Sequence, residues 1–396
     1  MIILVLKRLL FVDDEPLIRE LYGTLGSTLG KGHEVHTAAS AGEALDLLDE
    51  KNFDVVVSDL AMPEMDGIEF LSEVVRGYPQ SARIVISGFA DRLKVAECLT
   101  VGHRFFTKPF NLNGLSVLLR RICQYSYLVS NDRVRKMVCG TGALPTPPET
   151  YIRLRELVAS PYAHIDDISA IVEEDPGLST KLLHIVNSAQ FGIGRQIVAP
   201  SEAVQIAGIE IIKALILSAQ VFGFYERQNF NRGAFKDLWA HSVNTAIAAR
   251  KLAILEGLPT DAAEECFFAG LLHDIGKLIL AANAEREYSV AMELAAKASL
   301  PIEQAEMGLF SSTHAHVGAY LLALWGVPDS VITAVELHHT LDGNRISGFD
   351  TAVAVHVAQN LEPGGARKKL LNTSLLEKLG VMDRLPVWEE AIAAPN

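Results

Sequence analysis

Apolar and polar positions change rhythm once along this chain. Between residues 8 and 125, five short segments have strand-like composition: Leu9–Val12, Glu34–Ala38, Val55–Ser58, Arg83–Ser87 and Arg104–Thr107. The stretches between them carry apolar residues three and four positions apart, which places those residues on one helical face. Ser40 with Glu43 supplies a capping box ahead of Ala44-Leu45-Asp46-Leu47-Leu48, and Asp91 caps the helix ending near Thr100. Strands alternating with helices predict a parallel sheet covered on both faces.

From Glu149 onward the strand pattern stops and helix starts recur. Asp175-Pro176 precedes Leu178 to Val186, and Ser201-Glu202 opens another helix. Thr260-Asp261 precedes a helix carrying Phe267 to Ile275, and Pro328-Asp329 precedes Val331 to His339. Such starts predict about ten helices and an all-α second half. The more polar stretch Tyr125 to Gly142 reads as a helical linker that frays, and Leu144-Pro145-Thr146-Pro147-Pro148 marks a boundary. The expected organisation is an N-terminal domain over 1–125, a linker over 126–142, a helical domain over 143–340 and a helical extension over 341–396.

Composition narrows the classes. The 396 residues suffice for two or three domains, and 49% hydrophobic with 21% charged content fits a soluble globular protein. A formal net charge of −13 argues against nucleic acid as the main partner, since duplex binding rests on Lys and Arg neutralising phosphates. Cys98, Cys123, Cys139 and Cys266 form no C-x-x-C pair, so reduced thiols and a cytoplasmic location are expected. Met1 to Leu6 is too short for a secretory leader and reads as the lead into the first strand. Ile209 to Phe224 is interrupted by Glu210, Lys213, Ser218 and Gln220 and falls short of a membrane span.

The candidate chemistry lies at strand ends. Asp13 and Asp14 follow the first strand, Asp59 the third, Ser87 the fourth and Lys108 the fifth. In a parallel sheet those ends share one edge, where ligands bind. Carboxylates gathered there suit Mg²⁺, and an aspartate among them suits acceptance of a phosphoryl group.

These residues, with Phe11-Val12-Asp13-Asp14-Glu15-Pro16, Ser58-Asp59-Leu60-Ala61-Met62-Pro63, Asp66-Gly67, Ser87-Gly88 and Lys108-Pro109-Phe110, give the N-terminal half a pattern that resembles a response-regulator receiver domain. The resemblance implies a flavodoxin-like, doubly wound, five-stranded parallel sheet. It implies that Asp59 is the phosphoacceptor and that Asp13, Asp14, Asp59 and the backbone carbonyl of Ala61 hold Mg²⁺. Lys108 would pair with phosphoryl oxygens, Ser87 would bond one of them after transfer, and Phe105 would be the switch aromatic. The implied phosphodonor is a histidine kinase.

The C-terminal half resembles the HDOD domain, a helical output domain related to the HD phosphohydrolases. The residues that carry this are Asp175-Pro176-Gly177-Leu178-Ser179, Val186-Asn187-Ser188-Ala189, Ala207-Gly208, Leu238-Trp239-Ala240-His241-Ser242, Gly270 to Lys277, His314-Ala315-His316-Val317-Gly318, Trp325-Gly326-Val327-Pro328 and His338-His339. The resemblance implies a second metal site, for a transition metal, at His241, His273, Asp274, His314, His338 and His339. Asp237, four residues before His241, would add a carboxylate, and Lys277 would meet a substrate phosphate. Gln359 stands where HD enzymes carry a final aspartate, and the Gly-Tyr-Pro loop of cyclic-di-GMP phosphodiesterases is missing. A single ion on His273, Asp274 and His241 is therefore expected over a two-metal centre. Trp239 and Trp325 are expected as core anchors.

The joint expectation is a phosphorelay response regulator whose helical half binds a downstream signalling protein. A phosphorylation-gated HD-type phosphohydrolase acting on a cyclic dinucleotide or other nucleotide is the alternative. Monomer and homodimer both stay open.

Overall fold

The structure is a computed structural model that describes residues 6–30, 32–87, 101–140, 153–154, 157, 164–174, 178–179, 182–183, 186, 197–209, 211–216, 232–361 and 370–393. Asp91, the Asp175-Pro176 start, Asn187 and Ser188 lie outside the described residues. By compactness the chain forms two units. Unit 1 comprises Met1–Pro147, Ile279–Thr313 and Tyr320–Val327; unit 2 comprises Pro148–Leu278, His314–Ala319 and Pro328–Asn396.

Unit 1 is built on five parallel strands in the order β2-β1-β3-β4-β5: β1 Lys7–Val12, β2 His33–Ala38, β3 Val55–Asp59, β4 Ala82–Ser87 and β5 Arg104–Thr107. Helices α1 Pro16–Leu29, α2 Ala41–Glu50 and α3 Gly67–Gly77 follow the first three strands, and α4 Leu112–Ser126 follows β5. The central strands are buried on both faces, with Leu9, Leu10, Val55, Val56 and Ile84 fully enclosed. That explains why they read as unbroken apolar runs. Ser40 accepts from the Glu43 amide at the start of α2, while Glu43 reaches back one residue further than a capping box requires, to the Ala39 amide.

The described residues of 126–142 are helical as expected of the linker there, but well packed. They hold α5, Asp132–Cys139, with Val134, Met137, Val138 and Cys139 buried. The spacing of Val134, Met137 and Val138 is that of an amphipathic stripe, which the polar residues around it obscured. The Cys139 carbonyl accepts from Arg83 Nη2 at 2.6 Å, and Arg83 also donates to Val101 O and Ser81 O. Burial pulls the Arg83 guanidinium down to about 10. Further contacts in this unit come from Arg104, which donates to Trp325 O at 2.7 Å, and Arg121, which donates to Val327 O at 2.8 Å.

His103 sits in the same buried cluster as Arg83. Its Nδ1 accepts the Arg83 amide at 2.9 Å, and its Nε2 donates to Cys139 O at 3.1 Å. Both ring nitrogens are thus engaged by the neutral tautomer. Burial, aided by the Arg83 charge, lowers its pKa well below the usual histidine value. As pH falls through about 6.5 the unfolded chain takes up a proton that folded His103 refuses, so this residue's contribution is present above that pH and lost below it. Urea midpoints of the wild-type chain and His103→Asn should therefore converge between about pH 7 and pH 5. A gap that stays constant would show that His103 is not held neutral.

In unit 2 the chain runs through α6 Ile165–Glu173, α7 Pro200–Ala207, α8 Arg232–Leu255 and α9 Thr260–Leu272. Then come α10 Ile275–Asn283, α11 Glu285–Ala298, α12 Ile302–Phe310 and α13 His314–Trp325, of which α10 and α13 begin in unit 2 and α11 and α12 belong to unit 1. Unit 2 closes with α14 Asp329–Leu337, α15 Thr351–Leu361, α16 Thr373–Lys378 and, after a 3₁₀ turn, α17 Leu385–Ala393. The helix expected through Ile275 breaks at His273-Asp274, between α9 and α10. The described residues beyond 341, expected as a helical extension, are helical and partly buried. Helix α15 is buried from Thr351 to Asn360 and packs on α8, α9 and α14. Trp388 is 0% exposed and donates to Glu256 Oε1 at 2.8 Å, an oxygen that Arg384 shares at 2.9 Å. Trp325 is a core residue as expected, while Trp239 is only half-buried.

Candidate phosphoacceptor site and histidine cluster

The parallel register brings the ends of β1 and β3 side by side, with Val12 opposite Ser58. Asp13 and Asp59 follow at that edge, 0% and 4% exposed. Lys108, next after β5, puts Nζ 2.9 Å from Asp59 Oδ2, 3.1 Å from Asp13 Oδ2 and 3.8 Å from Glu15 Oε1. Asp14 also faces this edge: Asp13, Asp14 and Asp59 each offer an oxygen within 4.8 Å of the others. The remaining bonds fix the two buried carboxylates. Asp59 Oδ1 accepts the Leu60 amide at 2.9 Å and Asp13 Oδ1 the Glu15 amide at 3.0 Å.

The loop after Asp59 folds back tightly. Asp66 caps α3 by accepting from Ile68 and Glu69, and Gly67 lies so close that a Cβ there would stand 2.1 Å from the Asp59 carbonyl oxygen. Ala61 lies two residues past Asp59, exposed. Ser87 ends β4 and Phe105 lies within β5, paired with Val85; their side chains lie outside the described residues.

One ammonium serves several carboxylates, so the edge carries excess negative charge. Burial raises the Asp59 pKa, with Lys108 pulling the other way. Burial also opposes the Lys108 charge, but its bonds to Asp59 and Asp13 hold its pKa above the usual value. Buried like charges of this kind fit a divalent cation bound by one or two carboxylates that keeps some of its waters.

The second cluster lies wholly in unit 2. His241 comes from α8, His273 and Asp274 from the break after α9, His314 from the start of α13, and His338 and His339 from the end of α14. All six residues converge. Nε2 of His273 and His241 are 3.2 Å apart, and Nε2 of His314 is 3.3 Å from His338 and 2.9 Å from His339. Asp274 is 1% exposed at the centre.

The tautomers of two rings follow from their backbone bonds. His273 Nδ1 lies 2.7 Å from Gly270 O and His338 Nδ1 lies 2.6 Å from Val335 O. A carbonyl only accepts, so each Nδ1 carries the proton and each Nε2 turns a lone pair into the cluster. Burial lowers the pKa of His273, of His338 to about 3, and of His339 well below its usual value. Asp274 stays ionised: burial opposes its charge, but the Lys277 ammonium beside it helps hold its carboxyl well below the usual range. Unprotonated nitrogens packed round a carboxylate are a donor set for a transition metal.

Three expected residues take other places. Asp237 is exposed and its carboxylate is absent from the converging groups, because its turn of α8 lies at the surface. Lys277 Nζ binds Asp274 Oδ2 at 2.6 Å. The Gln359 amide turns to the backbone carbonyl of His338, which also accepts from His356 Nδ1 at 2.7 Å. His356 was missed because a histidine inside an apolar helix reads as core; its role is to hold the His338 backbone.

Comparison with known proteins bears on both halves. The family profile for the response regulator receiver domain matches residues 9–120, and that for the HDOD domain matches 144–341, half of the chain. The chain belongs to the HDOD family. Its HDOD half is similar to an uncharacterized protein of Treponema pallidum, 27% identical over 198 residues that cover 50% of this chain and 38% of that one. The receiver half is similar to the regulatory protein AtoC of Escherichia coli, 33% identical over 120 residues, 30% of this chain and 26% of that one. The matches thus span well under half the length of these curated relatives. An HDOD domain protein from Geobacter sulfurreducens shares the fold, with a TM-score of 0.50 at 21% identity over 70% of this chain and 93% of that one.

Proposed function

We propose that this HDOD protein is a phosphorelay response regulator in which Asp59 accepts a phosphoryl group from a histidine kinase. The observation that carries this reading is Lys108 Nζ bridging Asp59 and Asp13, with Asp14 beside them. An Asp59 oxygen attacks phosphorus and forms the O–P bond. The P–N bond to the donor's imidazole breaks, and its electron pair stays on the departing nitrogen. Asp13, Asp14, Asp59 and the Ala61 carbonyl would hold Mg²⁺, which when bound would neutralise the phosphoryl oxygens. Lys108 contributes a fixed charge to the same oxygens, already placed before the donor arrives. Asp13 keeps Lys108 in position, and the Leu60 amide orients the Asp59 carboxylate. Ser87 and Phe105 would read the new charge at the ends of β4 and β5 and shift the receiver between two states.

The HDOD half then acts as the output, binding a downstream signalling protein. Among the described residues no helix is long and apolar enough to cross a membrane. Acetyl phosphate with Mg²⁺ should label the full chain once, with acyl-phosphate lability to hydroxylamine. Absence of label under conditions that label a known receiver would overturn the reading.

The histidine cluster supports a second reading, metal binding, and with it the phosphohydrolase alternative. Hydrolysis of a cyclic dinucleotide by the metal-loaded chain, lost in Asp274→Asn, would favour that alternative; no turnover leaves partner binding as the output.

A further inference from the structure

Helix α1 carries a buried hydroxyl that makes no hydrogen bond of good geometry. Tyr22 is 1% exposed, and its phenol oxygen is enclosed. The ring is held from two sides. Phe11 of β1 stacks on it with centroids 4.7 Å apart, and Phe110 stacks on it at 6.4 Å. Phe11 lies two residues before Asp13, and Phe110 two residues after Lys108. The ring therefore stands between the strand that delivers Asp13 and the segment that delivers Lys108.

Arg19 shows where this side of α1 faces. Residues three apart share a helix face, and Arg19 donates from Nη1 to the Asp13 backbone carbonyl at 2.8 Å. Asp13 is close enough to act on the Tyr22 phenol but is not placed to accept from it. Burial, then the charges of Asp13 and Asp59, push the phenol pKa far above its usual value, so the hydroxyl keeps its proton.

We propose that Tyr22 is the positioning residue for Asp13 in the phosphorylated receiver: its phenol, unbonded at rest, donates to the Asp13 carboxylate when Lys108 turns to the phosphoryl group. This deepens the phosphoacceptor reading above and rests on it.

The reason lies in what Asp13 stands to lose. At rest its Oδ1 accepts the Glu15 amide at 3.0 Å and its Oδ2 accepts Lys108 at 3.1 Å, while the same ammonium serves Asp59 at 2.9 Å. A phosphoryl group on Asp59 adds three strong acceptor oxygens beside that ammonium. As Lys108 turns to them, Oδ2 of Asp13 is left without its donor, and Asp13 is 0% exposed, so the loss is not made good from bulk water. Freed from Lys108, the carboxylate can turn onto the phenol, whose O–H rotates to suit. Carboxylates that hold a metal are themselves fixed by hydrogen bonds from behind, and Tyr22 is placed to give one to Asp13.

The two states respond oppositely to loss of the hydroxyl. At rest, a buried polar group without a partner destabilises the fold. Tyr22→Phe keeps both stacked contacts and removes that group, so the resting chain should become more stable. The same change removes a donor from the phosphorylated state, which should become weaker. A residue that only packs would move both in one direction.

The test uses the full chain and beryllofluoride, a stable mimic of the acyl phosphate. Calorimetric titration in saturating Mg²⁺ reads its affinity, and urea unfolding without Mg²⁺ or beryllofluoride reads the resting fold. Tyr22→Phe is expected to weaken beryllofluoride binding by roughly tenfold, the worth of one hydrogen bond to a charged group, and to raise the urea midpoint. Unchanged affinity would overturn the assignment, and so would a lower midpoint, which would show the hydroxyl already bonded at rest. A wild-type chain that takes neither beryllofluoride nor label from acetyl phosphate would end the phosphoacceptor reading and this assignment together. Label in the wild-type chain with equal affinity in the Phe chain would end the assignment alone.

Discussion

Replacing Asp59 with Asn is expected to reduce acetyl-phosphate labelling to background. The change keeps the side-chain volume and an oxygen for the Leu60 amide, now 2.9 Å from Asp59 Oδ1. It removes the nucleophile, because an amide oxygen does not form a stable acyl phosphate. Lys108→Ala serves as the graded counterpart. It leaves the carboxylate and removes a preplaced charge 2.9 Å from it, so labelling should slow by roughly 10²–10³-fold while a single site remains. Phosphate-affinity electrophoresis reads both. Undiminished label in the Asn chain would move the acceptor elsewhere and take the signalling account with it.

Gly276→Ala is expected to be the most damaging small substitution in unit 2. A Cβ at this position would lie 1.9 Å from the His314 carbonyl oxygen and 2.9 Å from the Gly318 nitrogen. Both obstacles are backbone atoms, which cannot rotate away, so the helices themselves must part. Overpacking typically costs about 1–3 kcal/mol, and a clash with backbone belongs at the top of that range or above it. The first turns of α10 and α13 carry Lys277 and His314, so the ion site should suffer with the fold. Urea unfolding with and without Zn²⁺ checks this. Gly23→Ala is the control: nothing lies within 4 Å of its Cβ position, and removing a helical glycine should gain roughly 0.5–1 kcal/mol. Equal effects at the two positions would mean that the α10–α13 contact is not tight.

The receiver was legible because its chemistry punctuates its structure. Asp13, Asp59 and Lys108 each follow a run whose apolar character needs a doubly covered strand, and a parallel sheet has one edge where such ends meet. The histidine cluster was legible as a set of residues and illegible as an arrangement. Spacing along a helix put Asp237 with His241, but whether a turn of α8 faces the cluster or water depends on helices far away in sequence. Which oxygen of Asp274 faces which imidazole is likewise set by how α9, α13 and α14 pack. Arg83 went unread for a similar reason. A charged residue at a strand start suggests an exposed edge, and burial is tolerable because carbonyls distant in sequence, Val101 18 positions and Cys139 56 positions later, join Ser81 in accepting its donors. Helix α5 was legible as helix, but its burial was not, because eight residues with four charges outweighed a three-residue apolar stripe.

The Trp388–Glu256–Arg384 junction has a consequence for how the chain is made. Glu256 lies just past α8, and the residues that seal it are among the last described, beyond the 341 boundary of the recognised family segment. On the ribosome, the sides of α8, α9 and α14 that α15 will cover stay wet until residues 351–361 have emerged. Ancestry and autonomy therefore part company here: the stretch that relatives share is shorter than the stretch that must be synthesised before the helical unit can close.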